Sequence, residues 1–366
     1  MSAFMTGTGS ARLGTYVYVS SAEDGDIGTY ALAEDGSLKP GARVAAAKLV
    51  MPMCVSLDKP YLYAASRSKP YTVFVYAIDH QTGALTQCSK APLAESFPYI
   101  SIDKTGQYLF GAGYGGNVIG VSAIGTDGGV SNPRQVVPTA RNPHSIVTDR
   151  RNRYVFVPHL GSDQVFQFLF DAKTGKLTAN TPPVLQMKAK TGPRHIIISV
   201  ENRFAYLLHE LTATVTTLAL DSETGLLSPV SEAVALPPGC KLVPGAPRLP
   251  AGCGEDERNR SNDIWASDLH LTPNEKFLYA TERTSSTITT FGVEGATGKL
   301  TYLASTPTEK QPRGFAIDPK GKHMVVTGEL SDRISVYAID GSGALTLLQR
   351  YPTGKGSNWV EIVSFD

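Results

Sequence analysis

The sequence predicts an all-β fold, a seven-bladed β-propeller built as a single domain over residues 1–366. Three observations carry that expectation. First, one phrase recurs: Asn142-Pro143-His144-Ser145-Ile146-Val147-Thr148-Asp149, Gly192-Pro193-Arg194-His195-Ile196-Ile197-Ile198-Ser199 and Gln311-Pro312-Arg313-Gly314-Phe315-Ala316-Ile317-Asp318. Each has a proline, then a His or Arg, then a strand-like apolar run. Second, a bulky residue follows twelve positions after each basic residue, at Phe156, Tyr206 and Val325. The complete series is Tyr18, Tyr63, Phe110, Phe156, Tyr206, Tyr279 and Val325, with spacings of 45, 47, 46, 50, 73 and 46. Such a period, with alternating apolar residues, is that of a four-stranded unit repeated around a ring. Third, no segment sustains a 3.6-residue apolar period, so helices are not expected.

Within a unit the elements follow one script, seen best in the fourth. An apolar first strand covers residues 146–148, and Asp149 to Asn152 make a turn. A second strand covers 154–157 and a third 165–170. The turn Asp171-Ala172-Lys173-Thr174-Gly175 then leads to the fourth. Asp103-Lys104-Thr105-Gly106 and Asp221-Ser222-Glu223-Thr224-Gly225 repeat these turns elsewhere. Asp, Asn, Thr and Gly suit them because they bond their own backbone or accept left-handed geometry. The first unit starts at its second strand, 15–20, and residues 359–363 read as a first strand without a unit. That orphan is expected to pair into the first blade and close the ring. The spacing of 73 marks an insertion at about 235–262, between blades five and six.

Bulk properties exclude several classes. Net charge is +1, from 34 Lys and Arg against 33 Asp and Glu, so no nucleic acid or membrane surface is expected as a partner. Charged residues make up 18%, below the ~25% usual for soluble domains, which suits many short buried strands. No apolar run is long enough to span a bilayer. The first thirteen residues lack the apolar core of a secretion signal, so a cytoplasmic location is expected. Cys240 and Cys253 sit thirteen apart in the insertion. A disulfide between them, with a leader already removed, would instead place the chain in a periplasm or outside the cell. Cys54 and Cys88 read as small packing residues.

The blade script places side chains. In an antiparallel meander the start of the first strand and the end of the second share one face. The first-strand starts carry His144, Arg194 and Arg313, with Tyr99 and Asp268 one position further along. The second-strand ends, four residues past the aligned aromatic, carry Arg67, Tyr114, Glu210, Arg283 and Glu329. His159 and His209 lie three past. All are expected to ring one mouth of the central channel, an anion-attracting cavity with titratable groups. The insertion arrives on that same face and is expected to cover it in part. No metal and no cofactor are expected, because arginines beside the histidines would repel a divalent cation. Gly111-Ala112-Gly113-Tyr114-Gly115-Gly116 ends a strand with no helix after it, so it is a turn and not a nucleotide loop.

At these phrases the chain resembles the seven-bladed propeller lactonases, which include bacterial 6-phosphogluconolactonases and fungal 3-carboxymuconate-cyclising enzymes. The resemblance spans essentially the whole chain. It is closest at Gly192-Pro193-Arg194-His195, at Trp265 to Pro273 followed by Leu278 to Thr284, and at Thr308 to Phe315. In the muconate-cyclising members a His, two Arg and a Glu act, and these fall on His144, Arg194, Arg283 and Glu210. The resemblance implies a metal-independent lactone hydrolase of carbohydrate metabolism, in the pentose phosphate pathway, acting on an anionic sugar lactone. His144 or Glu210 would be the base. Arg194 and Arg283 would hold the carbonyl oxygen or a substrate anion. Arg313, Asp268, His159, His209, Arg67, Tyr114 and Glu329 would contact the rest of the substrate. The alternatives are ring closure on a muconate, and a non-catalytic propeller that binds a sugar acid or a protein. A monomer or weak oligomer is expected.

Overall fold

A computed structural model describes residues 14–56, 58–249 and 259–365. Among them, 28 strands form seven four-stranded antiparallel sheets, and there is no helix. The C-terminal strand Ser357–Ser364 pairs with Thr15–Ser21, with Glu361 opposite Tyr18, so the first blade is made from both ends of the chain. This is the expected closure.

The period has a packing cause. Buried apolar residues form seven clusters, each joining two neighbouring blades. Leu208 and Val215 of blade five meet Leu269 and Phe291 of blade six, for example. A single blade cannot bury both faces, so seven interfaces supply the core. The aligned aromatics serve them directly. Tyr18, Tyr63 and Tyr279 donate to the carbonyls of Gly83, Gly128 and Gly343, each in the outer turn of the next blade. Those glycines adopt φ of +70°, +79° and +82°, which other residues resist. The Asp turns also behave as read: Asp149 Oδ1 accepts from the amides of Arg153 and Tyr154, and Asp103 Oδ1 from those of Gln107 and Tyr108.

The innermost strands hold a feature that the sequence does not announce. Pairing slips between Pro193 and His195 in blade five, between Ala266 and Leu269 in blade six, and between Pro312 and Phe315 in blade seven. Blade two slips likewise between Val50 and Met53. In blade four only Val147–Thr148 pairs regularly, and Pro143 meets His159 as an isolated bridge. Each slip is a bulge, which bends the strand and re-aims one side chain. In three blades the break falls at the basic residue, Arg194, Arg313 and, before residue 147, His144, whereas in blade six it falls at Ser267 and Asp268 and in blade two at Met51 and Pro52.

Two expectations on cysteines change. Cys88 is exposed rather than packed, because its position on blade two's outer strand faces solvent. Cys240 is a free thiol, and Cys253 lies outside the described residues.

Candidate active site at one mouth of the ring

A cavity of about 190 Å³ opens at the mouth where first strands begin and second strands end. Blades four to six supply His144, Glu210, Trp265 and Arg283. Arg313, Arg67 and Tyr114 come from blades seven, two and three. The lining second-strand ends, Arg67, Tyr114, Glu210 and Arg283, all stand four residues past the aligned aromatic.

Glu210 organises one wall. Its Oε2 accepts from Arg194 Nε at 2.8 Å and from Arg283 Nη2 at 2.9 Å, while no hydrogen bond from a described residue reaches Oε1. All three side chains are almost fully buried. Burial alone would raise the carboxyl, but Arg283, Arg194 and Arg313 together hold it below the usual carboxylate range. It is therefore ionised, and a weak base. Arg283 also donates to the carbonyls of Trp265 and Ala266, which leaves Nη1 without a partner among the described residues. Its guanidinium lies 3.7 Å from the centroid of Trp265.

His144 faces the same space, with its ring edge-on to Tyr114 at 5.7 Å. Its Nδ1 is buried and has no partner among the described residues. Burial, then the charge of Arg194, pushes the imidazole well below its ordinary value, so it is neutral at pH 7. A neutral imidazole keeps one lone pair for a proton.

Arg194 does not line the cavity. It lies beneath it, 1% exposed, as a strut. Its Nη1 bonds His195 Nε2 at 2.9 Å, and His195 Nδ1 meets Asp268 Oδ1 at 2.9 Å. A guanidinium can only donate, so Nε2 accepts and the single proton of neutral His195 sits on Nδ1, donating to Asp268. Burial and Arg194 push His195 down to about 3, consistent with that form. His270 Nε2 closes on the other oxygen of Asp268 at 3.1 Å. A bonded chain thus runs from His270 in the central channel through Asp268, His195 and Arg194 to Glu210.

Four expected substrate contacts therefore stand elsewhere. Asp268 lines the channel cavity and supports Arg194 through His195. Glu329 lies behind Arg313 and is bonded to it at 3.1 Å and to Gln311 at 2.8 Å. His159 and His209 precede the lining position by one residue, and alternation along a strand turns them to the opposite face. His159 bonds the carbonyl of Val157 and packs 4.3 Å from Phe166, while His209 meets Thr216 Oγ1 at 2.9 Å. Burial pushes both down to about 4, so they are neutral packing residues.

Four contributors had no role in the sequence expectations. The insertion brings Arg248 and Leu249 into the lining. Arg248 lies 3.4 Å from the Trp265 ring centroid, and its carbonyl accepts from Tyr114 Oη at 2.8 Å. Trp265, stacked by two guanidiniums, and His195 stood inside quoted motifs without an assigned task. No cluster of three or more His, Cys, Asp or Glu suited to a metal occurs among the described residues.

Seven closed blades with a cation-lined polar pocket at one mouth define a propeller built around a small-molecule site. The chain belongs to the seven-bladed β-propeller lactonase family, whose description "Lactonase, 7-bladed beta-propeller" matches residues 12–362. It is 36% identical to the 6-phosphogluconolactonase of Serratia proteamaculans over 349 residues, 95% of this chain and 98% of that one. The 6-phosphogluconolactonase of Pectobacterium carotovorum is also 36% identical, over 96% of this chain and 99% of its own length. Among solved structures, the periplasmic gluconolactonase of Pseudomonas aeruginosa superposes with a TM-score of 0.82 at 26% identity, covering 96% and 99%.

Proposed function

We propose that this protein hydrolyses the lactone of a sugar acid, 6-phosphogluconolactone or a related aldonolactone, without a metal. The observation that carries the reading is the juxtaposition of a neutral, unpartnered His144 with Glu210 and Arg283 in one pocket. The family and the names of the relatives support it.

Hydrolysis needs a base for water, donors for the oxyanion, and a proton for the departing ring oxygen. His144 suits the base because no described residue hydrogen-bonds its ring, whereas Glu210 Oε2 is already tied to two arginines. Water attacks the carbonyl carbon and passes its proton to His144. The negative charge that develops on the carbonyl oxygen falls to Arg283 Nη1, and one such donor is worth roughly 10²–10³-fold in rate. Collapse breaks the bond to the ring oxygen, which takes the proton back from His144. The product is an open-chain hydroxy acid. Glu210 Oε1 orients the water or a sugar hydroxyl. The cytoplasm, where sugar phosphates reside, is the compartment that fits a phosphorylated substrate.

A pH-stat assay tests the reading on 6-phosphogluconolactone, gluconolactone and 3-carboxymuconate. Acid release from a lactone above the spontaneous rate is expected. Turnover of the muconate alone would replace it with ring closure, and turnover of none would leave a binding protein.

A further inference from the structure

The pocket has two walls of different character. The groups assigned above to chemistry come from blades four to six. Across the mouth, Arg313 and Arg67 come from blades seven and two, and they bear on no reacting atom in that scheme. Arg67 is the unusual one. Its Nε donates to Ser96 Oγ at 3.3 Å and its Nη1 lies 3.8 Å from Met51 Sδ. Both partners are neutral, and no carboxylate pairs with it among the described residues. Arg194, Arg283 and Arg313 each have a glutamate.

The charges do not balance without a guest. Arg67, Arg194, Arg283 and Arg313 stand against two glutamates, Glu210 and Glu329, an excess of two positive charges in that set, and Arg248 of the insertion brings a further cation to the lining. His144 adds none. An unphosphorylated aldonolactone is neutral and would leave that excess buried. A phosphate monoester carries about −1.5 to −2 at neutral pH, with three acceptor oxygens. Arginine forks match such oxygens two at a time.

We propose that Arg67 and Arg313 form a dianion subsite that takes the phosphate of a phosphorylated sugar lactone, and that Arg67 sets the preference for a phosphorylated over an unphosphorylated substrate. The subsite rests on the reading of the pocket as a lactonase site. In the cyclic lactone the carbonyl carbon and the carbon bearing the 6-phosphate arm flank the ring oxygen, so the arm can reach Arg67 and Arg313 while the carbonyl meets Arg283 and His144 in the same cavity. Burial and the like charge of Arg313 pull Arg67 down to about 10, a cost that a bound dianion relieves.

The test compares wild type, Arg67→Met and Arg67→Lys. The ratio of kcat/KM for 6-phosphogluconolactone to that for gluconolactone is measured, together with the Kd of 6-phosphogluconate and of gluconate by calorimetry. Loss of a charge-assisted contact is worth roughly 10–100-fold. The ratio and the relative affinity are expected to fall by that factor in Arg67→Met, through KM, with part restored in Arg67→Lys. An unchanged ratio and unchanged relative affinity would overturn the subsite. Wild type that turns over both lactones equally would also overturn it, while leaving the lactonase reading intact. Wild type that hydrolyses neither sinks the lactonase reading, and the two binding constants then decide the subsite alone.

Discussion

Replacing Glu210 by Gln keeps the shape of the side chain and removes its charge. The consequence follows from the geometry of one oxygen. Oε2 is shared by Arg194 at 2.8 Å and Arg283 at 2.9 Å, and Glu210 is 4% exposed. The variant leaves two guanidiniums buried without their counter-ion. Breaking a buried pair in this way costs about 3–5 kcal/mol. Unfolding entropy scales as roughly 2.1 cal/mol/K per residue, so for this chain that cost lowers the apparent melting temperature by about 4–6 °C. Scanning calorimetry at one scan rate and pH 7 measures it. The pH dependence adds a second readout. The folded carboxyl lies below its ordinary value of 4.5, so its stabilisation is complete above that value and is lost as pH falls through the folded one. The gap between wild type and Glu210→Gln should therefore be full at pH 7 and narrow only below about pH 4.5. A melting temperature within about 1 °C of wild type at pH 7 would refute the argument, because the arginines would then not depend on Glu210.

His144→Ala should lower kcat by roughly 10²–10⁴-fold, the range of a lost general base, and initial rates on the best lactone in the pH-stat check it. Because His144 is neutral well below its ordinary 6.5, wild-type kcat/KM on gluconolactone, which has no phosphate to titrate, should hold level from pH 7 to pH 6, and an acid limb centred near 6.5 would contradict this. His195→Phe removes both ends of the link from Asp268 to Arg194, so kcat should fall by roughly 10-fold or more with KM little changed. His195→Gln can still accept from Arg194 and donate to Asp268, and should recover most of the loss, a rescue that a purely packing role would not produce. Arg248→Ala removes a cation stacked on Trp265, worth about 0.5–2 kcal/mol, and should raise KM for the phosphorylated lactone by up to roughly 30-fold.

The architecture was legible because it repeats. Six aromatics and one valine, at near-constant spacing but for the insertion, could be aligned without any neighbour in space, and the missing first strand of blade one named its own replacement in 359–363. The lining second-strand ends were legible for the same reason, since a fixed offset from a fixed position lands on a fixed face. What failed was resolution by one residue. Glu210 and His209 are adjacent, yet one lines the pocket and the other packs on Thr216, because strand alternation separates them. Asp268 failed differently. Its blade slips register between Ala266 and Leu269, so counting along an ideal strand puts its side chain at the mouth when it faces the channel. Bulges depend on long-range pairing and leave no local composition. Arg248 sits in a loop without period, so nothing in the repeat could place it.

The pocket also shows why a propeller rim suits this chemistry. Its groups come from different blades, so their separations are set by the inter-blade cores and not by any single strand. Glu210 and Arg283 belong to blades five and six, whose interface is held by Leu208, Val215, Leu269 and Phe291. Cations packed side by side repel, and would rotate apart if their backbone could yield. Here the guanidiniums are pinned by carbonyls, by Trp265 and by the Asp268–His195 link, while the backbone is pinned by packing. The positive potential at the mouth is therefore already in place before any ligand binds, which in the proposed mechanism spares reorganisation as the oxyanion forms. That arrangement destabilises the empty protein locally. In the subsite proposed above, the surplus charge on the Arg67 side is part of the same cost, which a dianionic substrate would offset when bound with its carbonyl toward His144.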